Sequence, residues 1–296
     1  MRPVLVLALF SVCSLSAAAP LTISVSPSAD TFAREAAPTA NYGLAGGLAV
    51  AGEEASSYFD PSQKLGRMDS FLRFPMSALA ASMNSQFGSG RWHVKQATLN
   101  LVEQLAPNNP MFGCTPGTFR VYWLANDSWA EGTGTPNAPA SDGLHFQDVP
   151  SLIEPVADVP LGVFSNVGVG TGSAPVVCNL LLPAEFVEDI LSGDDVTLHL
   201  VADSANVAFT FNSRDITGGR PLPSLSVTAE ALSWPIPGDA NLDCTVNLLD
   251  LIFVRNLLNH PVSSGSNWKA DVNSDGAINL LDLLYVRNRL NTSCPR

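Results

Sequence analysis

Two stretches of the chain place oxygen-bearing side chains at the same spacing. Residues 239–258 have the sequence DANLDCTVNLLDLIFVRNLL, and residues 271–290 have the sequence DVNSDGAINLLDLLYVRNRL, so that equivalent positions lie 32 residues apart. One such stretch is compatible with a polar turn that caps a helix. Two matched copies instead predict a repeated structural unit with a pair of cation-binding loops.

Oxygen ligands at this spacing suit calcium, which takes six to eight of them in a twelve-residue loop. They occupy the first, third, fifth, ninth and twelfth places, while the seventh place contributes a backbone carbonyl. The predicted calcium ligands are Asp239, Asn241, Asp243, Thr245, Asn247 and Asp250 in the first loop, and Asp271, Asn273, Asp275, Ala277, Asn279 and Asp282 in the second. The sequence therefore predicts two bound calcium ions.

The two loops differ at the sixth place. A sharp turn there favours glycine, and Gly276 supplies it in the second loop, whereas the first loop has Cys244. Because a side chain at positive φ costs on the order of 1 kcal/mol, we expect the first site to be weaker or distorted.

Apolar residues follow each loop at helical spacing. Leu251, Val254 and Leu258 should face inward in the first copy, as should Leu283, Val286 and Leu290 in the second. The pairs Leu248–Leu249 and Leu280–Leu281 are surplus to that face. They either form an exposed apolar contact or fill the core of a small module.

The repeat resembles a type I dockerin over about residues 238–292. The paired NLLDL..VRN segments carry the resemblance, as does the Asp that closes each loop where other calcium loops have Glu. The resemblance implies a small all-α module of paired F-hands that docks onto cohesin domains of a scaffold or cell-surface protein, through either of two similar faces. The cohesin-facing residues would be Leu248, Leu249, Arg255 and Asn256, or their copies Leu280, Leu281, Arg287 and Asn288.

The first residues predict export from the cytoplasm. Arg2 precedes an apolar run from Val4 to Leu15 and a group of small residues, which is typical of a secretory signal peptide over residues 1–19. A membrane anchor is the alternative, but the run is shorter than the roughly 20 apolar residues that span a bilayer. Lipid modification of Cys13 is another, although its preceding residues fit that signal poorly. We expect a secreted, extracellular protein.

The cysteines agree with an oxidising compartment. Removal of the signal peptide leaves an even number, which favours disulfides over a zinc site because no close Cys/His spacing is present. The simplest pairing keeps each bond within one domain and joins Cys114 to Cys178 and Cys244 to Cys294.

Residues 20–230 show short runs of β-branched and aromatic residues between turn-forming clusters. The runs are LTISV, DSFLRF, QATLNLVEQ, TFRVYWL, DVTLHLVAD, NVAFTFNS and SLSVTAE, and only residues 182–193 have a helical pattern. This pattern predicts a mainly β protein with a jelly-roll-like β-sandwich. A linker at 231–237 would join it to the dockerin-like domain at 238–296. The formal net charge of −12 argues against nucleic acid or an anionic membrane surface as a partner. No segment after the signal peptide could span a membrane, so we expect no membrane insertion.

The sandwich region also resembles a DNRLRE-type domain, which is similar to carbohydrate-binding modules. The segments ADTFAREAAPTANYG, SFLRFPMSAL, ATLNL, DSWAEG, FNSRD and RPLPSLSVT carry this resemblance in order. It implies that the sandwich binds polysaccharide.

No catalytic constellation is evident, since a glycosidase needs two facing carboxylates and the nearest pair, Asp127 and Glu131, is typical of a structural turn. Trp92, Trp123 and Trp129 could stack on sugars or lie in the core, where we place Trp123. Arg73 and Arg214 would bridge internal carboxylates or hold an acidic sugar, and the scattered His93, His145 and His199 suggest no base, with His199 expected to face solvent. The favoured function is therefore a non-catalytic secreted protein that a dockerin recruits. The alternatives are a polysaccharide lyase or glycoside hydrolase, and a structural surface protein.

Overall fold

The computed structural model describes residues 19–57, 60–104, 115–167, 174–232, 236–243, 245–262 and 267–293. They fall into two compact units, one over Leu21–Glu230 and the other including Ala231–Arg296. The predicted signal peptide lies almost entirely outside the described residues, as does the middle of the predicted linker, residues 233–235. None of the helices in the described part of the chain combines the length and apolar character that a membrane-crossing helix requires.

The first unit is a sheet of antiparallel strands. Its described strands are β1 Leu21–Val25, β2 Ala29–Arg34, β3 Gly47–Ala51, β4 Met68–Pro75, β5 Trp92–Glu103, β6 Gly117–Leu124, β7 Val159–Asn166, β8 Ala174–Leu180, β9 Asp195–Ala202, β10 Ala208–Asn212 and β11 Ser224–Ala231. The hydrogen-bonded order is β1-β11-β5-β10-β3-β4-β9-β6-β7, with β2 beside β4 and β8 beside β5. Three helices lie in the same unit: α1 Ser77–Phe87, α2 Val149–Leu152 and α3 Ala184–Ser192.

Strands from both halves of this order bury side chains in one core. Leu99 of β5 and Val227 of β11 belong to the same buried cluster as Leu72 of β4, Phe119 of β6 and Leu198 of β9. Alternate residues along β4 point to opposite faces, so that Phe71 belongs to a second cluster with Trp129 and Leu144. The prediction of a mainly β fold with a small helical end is confirmed.

The seven strands expected from sequence all have counterparts, and so does the helix expected at 182–193. Strands β2, β3, β7 and β8 and helix α1 were not predicted. Helix α1 buries only Leu79, Ala80 and Met83 and has no side-chain hydrogen bond at its N-cap, so it carries few of the usual sequence signals.

Three of the four cysteines in the predicted disulfides lie outside the described residues. Cys114, Cys244 and Cys294 are not among the described residues, whereas Cys178 lies on β8 as a free, buried thiol. Burial raises the pKa of the Cys178 thiol to about 12. Both pairings therefore stay predictions.

The second unit contains α4 Leu248–Asn256, a 3₁₀ turn at Asn267–Ala270 and α5 Leu280–Arg287. Val254 and Val286 are fully buried, with Leu251, Leu258 and Leu283 packed against them. The inward faces expected of the two helices are therefore confirmed, as Leu290 also packs against this core.

Candidate metal centre

The two polar loops adopt closely similar local structures. In the first, Asp239 Oδ1 and Asn241 Oδ1 both accept hydrogen bonds from Asp243 N, at 3.1 and 2.9 Å. In the second, Asp271 Oδ1 and Asn273 Oδ1 accept from Asp275 N at 3.0 and 2.9 Å. Each loop therefore winds around its own side-chain oxygens.

The residues at the fifth and seventh places are paired in the same manner in both loops. Asp243 Oδ1 accepts from Thr245 N at 2.9 Å, and Asp275 Oδ1 accepts from Ala277 N at 3.0 Å. The hydrogen bond from the Asn273 side chain, followed by that from Ala277 N, lowers the pKa of Asp275. This carboxylate is thus kept ionised, as a calcium ligand must be.

The ninth and twelfth places of each loop begin the following helix. Asn247 and Asn279 are the N-cap residues of α4 and α5, and each accepts from the N–H two residues later at 2.7 Å. Asp250 Oδ2 and Asp282 Oδ2 accept in return from the N-cap N–H groups, at 2.8 and 2.9 Å. The helix-cap interpretation and the cation-loop interpretation therefore describe the same residues, because a capping box holds two of the five oxygens in place.

Carboxylates that open and close the loops are buried. Asp239, Asp250 and Asp282 are 0% exposed and Asp271 is 3% exposed. Asp250 accepts from Asn241 N as well as from its N-cap, and backbone N–H groups carry no net charge. Since buried charges are normally paired or bound to a metal, these side chains call for a cation.

The second loop brings three carboxylates within reach of one ion. One oxygen each of Asp271, Asp275 and Asp282 lies within 4.8 Å of the others. Burial, together with the charges of Asp271 and Asp275, outweighs hydrogen bonds from Asn279 and Asn273 and raises the pKa of Asp282. Like charges held this close favour binding of a divalent cation.

The backbone is left-handed at the fourth place of each loop and at the sixth place of the second loop. Leu242 and Ser274 have φ of 64° and 63°, and Gly276 has φ of 88°. Cys244, for which strain was expected, lies outside the described residues. The fourth-place strain was not foreseen, because neither Leu nor Ser signals a left-handed backbone conformation.

The two halves of the unit hold each other in a symmetric manner. Asn259, after α4, donates its N–H to Ile278 O at 2.9 Å, and Asn291, after α5, donates to Val246 O at 2.8 Å. Val246 and Ile278 are the eighth residues of their loops, and both are buried. Each helix end is thus anchored on the other repeat's loop, so the two loops fold as one structure.

Apolar side chains remain on the outside of both helices. Leu248 and Leu249 are 67% and 58% exposed, and Leu280 and Leu281 are 69% and 57% exposed. Of the two alternatives for these pairs, the core-filling one is wrong. The unit carries two equivalent apolar surfaces.

Residues 237–291 match the family model of the Dockerin type I domain. We call this segment the dockerin module. The match supports calcium binding and docking to cohesin domains, which are properties of that family. No match was found among curated proteins.

Outside the dockerin module, the three tryptophans named from sequence are interior residues. Trp92, Trp123 and Trp129 are 3%, 6% and 6% exposed. Trp123 Nε1 donates to Asp189 Oδ2 at 2.7 Å, and Trp129 Nε1 donates to Thr197 Oγ1 at 3.1 Å. The core position of Trp123 is confirmed, and stacking of these three rings on a sugar is excluded by their burial.

His199 does not face solvent, so that expectation was wrong. It is 3% exposed, its ring stacks on Phe71 with centroids 4.5 Å apart, and Nε2 lies 3.1 Å from Asp69 Oδ2. Phe71, on which it stacks, is itself covered by residues from loops, among them Trp129 and Leu144. The prediction that His199 lies on the face of β9 opposite Leu198 and Leu200 was correct. The sequence could not show that this opposite face is covered as well.

A pocket adjoins this histidine. It has a volume of about 340 Å³ and its polar lining residues are Arg67, Tyr122, Asp158 and His199. Arg67 also forms a two-pronged ion pair with the buried Asp69, with Nε–Oδ1 and Nη2–Oδ2 distances of 2.8 and 2.6 Å. Sequence reasoning named His199 but missed Arg67 and Tyr122. The pairing of β6 with β9 sets Tyr122 opposite His199, whereas Arg67 directly precedes β4, which pairs with β9 on its other side.

The arginines named from sequence make internal contacts. Arg73 Nη1 donates to Asp127 O and Trp129 O, each at 2.9 Å. Arg214 Nε lies 3.6 Å from Glu131 and from Asp215. Both arginines thus contact the interior of the fold.

Proposed function

We propose that the dockerin module binds two calcium ions and docks onto a cohesin domain of a scaffold or cell-surface protein. The observation that carries the proposal is the matching of the two loops, which repeat the same hydrogen bonds around equivalent oxygens. The ligands would be the two sets of six residues predicted from sequence. Calcium supplies the positive charge that holds the buried carboxylates together.

The exposed leucine pairs supply the docking surface. Each pair stands at the start of a helix, directly after the N-cap whose geometry the calcium loop fixes, so ion binding and surface formation are coupled. Arg255 and Arg287 lie in the last turns of α4 and α5, next to Asn256 and Asn288. Leu248, Leu249, Arg255 and Asn256, or their second-repeat copies, would contact the cohesin.

A calcium titration of the full-length chain tests the metal part. Asp239→Ala and Asp271→Ala are each expected to remove one bound ion, and the double variant removes both. Glu53→Gln, which neutralises an exposed acid in the sheet unit, is the matched control. Retention of the wild-type ion count by either single variant would overturn the assignment of that loop.

Docking is tested against immobilised type I cohesins with and without calcium. Because two faces are available, Leu248→Asp with Leu249→Asp should leave binding to the second face intact, as should the corresponding pair at Leu280 and Leu281. All four changes together should abolish binding. Val156→Asp, at an apolar side chain that is 101% exposed in the sheet unit, is the control. Binding by the quadruple variant would exclude these surfaces.

We further propose that the protein is secreted and that its β-sandwich binds polysaccharide. The N-terminal sequence and the DNRLRE-type resemblance support this, and the pocket beside Tyr122 gives a site with one aromatic ring and charged groups. An aromatic face and converging polar groups suit a sugar ring. Retardation in affinity gels that contain different polysaccharides tests it, and no retardation in any gel would favour a structural surface protein.

The same pocket favours an enzyme as the second candidate. A phenol, an imidazole and a guanidinium in one pocket can serve proton transfer next to an acidic sugar. Reducing-sugar release and ultraviolet absorbance of unsaturated products separate lyase or hydrolase from binder. A binder should tolerate Tyr122→Phe but lose about three- to tenfold affinity with Tyr122→Ala, whereas an enzyme that needs the hydroxyl loses its activity with either.

A further inference from the structure

We propose that Asp30, Glu131 and Asp215 form a calcium site in the β-sheet unit, separate from the two loops of the dockerin module. One carboxylate oxygen of each lies within 4.8 Å of the other two. Two ligands of one calcium ion, each about 2.3–2.6 Å from it, lie at most about 5 Å apart. The three oxygens therefore have the spacing of ligands to a single ion.

The three residues come from distant parts of the chain. Asp30 is the second residue of β2, Glu131 follows β6, and Asp215 follows β10. Asp30 N donates to Glu131 Oε1 at 2.7 Å, which joins positions 101 residues apart. The fold thus assembles the cluster from three separate segments.

A second observation points to a ligand. Asp30 is 0% exposed, and while its Oδ2 accepts from Arg214 N at 2.7 Å, its Oδ1 has no hydrogen-bond partner. Asp215 Oδ2 is likewise buried without a hydrogen bond. A buried carboxylate oxygen without a hydrogen-bond partner carries a desolvation penalty. A bound cation removes this penalty.

The nearby arginine offsets only part of the negative charge of the cluster. Arg214 Nε is 3.6 Å from both Glu131 Oε1 and Asp215 Oδ2, too far for a hydrogen bond. Its Nη1 instead donates to Ser28 O. Three carboxylates against one guanidinium leave an excess of negative charge at a site that is largely shielded from water.

The backbone around Glu131 is held rigidly. Asn41 is fully buried, and its Nδ2 donates to Glu131 O at 2.7 Å and to Leu144 O at 3.1 Å. A Cβ on Gly43 would stand 2.1 Å from Glu131 O, and one on Gly132 would stand 2.2 Å from Asn41 Oδ1. These glycines let the segments approach closely, which fixes Glu131 against Asp30 before any ion arrives.

Electrostatics favour the cluster with a bound divalent cation over the cluster without one. Burial, followed by the charges of Glu131 and Asp215, outweighs the hydrogen bond from Arg214 N and raises the pKa of Asp30 to about 8. A hard cation at the site would reverse that balance, because it stabilises all three ionised carboxylates at once. Carboxylate ligands alone select a hard metal such as calcium over zinc or copper.

The test counts calcium ions on the full-length chain by native mass spectrometry and follows the melting of the sheet unit by tryptophan circular dichroism. Wild type is expected to hold one ion more than the dockerin loops account for, and Glu131→Gln to lose that ion only. Saturating calcium at about 100 Kd should raise the melting temperature of the sheet unit by roughly 5–10 °C in wild type and not in the variant. Glu53→Gln, the same change at an exposed acid outside the cluster, should behave as wild type.

Asp30→Asn provides a second variant in case Glu131→Gln fails to fold, since an amide oxygen can still accept from Arg214 N. This variant should fold in the presence of a chelator, and calcium should not raise the melting temperature of its sheet unit. An unchanged ion count and calcium response in both variants would overturn the proposal and leave the cluster neutralised by a shared proton and Arg214. The loop variants at Asp239 and Asp271 report on the dockerin ions separately, so failure of either proposal is recognised on its own.

Discussion

Gly276, at the sixth place of the second calcium loop, has φ of 88°, and no atom lies within 4 Å of the position that a Cβ would take. Replacement by alanine therefore adds backbone strain without a clash. Gly276→Ala should cost about 1–2 kcal/mol in the ion-bound state, which weakens the second calcium site about five- to thirtyfold in titration calorimetry.

The control for this change is Ala277→Ser. Ala277 is exposed, contributes a backbone carbonyl and does not have positive φ, so its substitution should alter affinity less than twofold. Equal effects of the two changes would mean that side-chain size, and not backbone conformation, limits the loop.

Arg67 and Asp69 test how much a partly buried ion pair stabilises the sheet unit. Asp69 is 0% exposed, and although burial opposes its ionisation, His199 and Arg67 outweigh burial and lower its pKa. Arg67→Met leaves this carboxylate with His199 alone and should lower the free energy of unfolding by about 2 kcal/mol, below the loss for a fully buried pair because Arg67 is partly exposed.

Lys64→Met provides the comparison in urea denaturation of the full chain. Lys64 pairs with Glu54 at 2.8 Å, but both side chains are about half exposed, at 53% and 52%. Loss of this ion pair should lower the free energy of unfolding by less than about 1 kcal/mol. Similar losses for Lys64→Met and Arg67→Met would show that burial of Asp69 adds nothing.

Single residues differed in how far sequence could predict them. The proposed calcium ligands of each dockerin loop stand within twelve positions of one another, so their spacing alone indicates a loop. Asp30 and Glu131 are 101 positions apart, and only strand pairing brings them together. A site assembled by tertiary structure leaves no local pattern.

At the level of elements, helix α3 contacts the sheet through an ionisable side chain, since Asp189 accepts a hydrogen bond from Trp123 of β6. Burial is the main cause that raises the pKa of Asp189 to about 6, and the charges of Asp127, Asp194 and Glu188 add to it against the hydrogen bond from Trp123 Nε1. Because the folded protein holds this proton more tightly than the unfolded chain, the stabilisation is complete below about pH 4 and is lost as pH rises through 6.

Asp189→Asn should remove this pH dependence while it keeps an oxygen for Trp123. Denaturation of wild type and variant at several pH values between 4 and 7.5 measures the difference, which should shift in favour of the variant as pH rises. Glu185→Gln, at an exposed acid of the same helix, should show no such trend. A constant difference between Asp189→Asn and wild type would exclude a titrating contact.

The first loop of the dockerin module forms a short antiparallel pairing with the residues that follow the module. Thr245 and Ser293 form a β-bridge, and Val246 N donates to Thr292 O at 2.9 Å. This supports the predicted bond between Cys244 and Cys294, because Cys244 directly precedes Thr245 and Cys294 directly follows Ser293. Peptide mapping without reductant should recover the linked pair, and free thiols at both positions would contradict it.

Elements differed in the signals that they carry. Strands such as β9, DVTLHLVA, alternate or concentrate β-branched and apolar residues and were predicted. Strand β3, GLAVA, is too short and rich in small residues for such a pattern, and β7 contains Pro160 and Gly162, which normally indicate a turn. Their pairing with neighbouring strands outweighs these local preferences.

At the scale of the whole molecule, calcium should act on the two units to different degrees. The dockerin module is small and keeps six carboxylates in two loops, so it buries too little core to fold against their repulsion. The sheet unit has a large core of its own, with Phe119, Phe209 and Leu200 fully buried. Removal of calcium should therefore unfold the module and leave the sheet unit folded.

Limited proteolysis of the full chain measures this difference directly. In excess calcium the protein should resist cleavage, whereas in EDTA the segment that contains α4 and α5 should be cut and a stable fragment with Trp123 and Trp129 should remain. Calcium added before the protease should restore resistance, and the Asp239→Ala, Asp271→Ala double variant should be cut even with calcium. Because the further calcium ion at Asp30 stabilises only the sheet unit, EDTA should also lower the melting temperature of the remaining fragment in wild type but not with Glu131→Gln. Intact helices in EDTA would mean that the module folds by packing of Val254 and Val286 without calcium. That result would exclude the proposed coupling between calcium binding and docking.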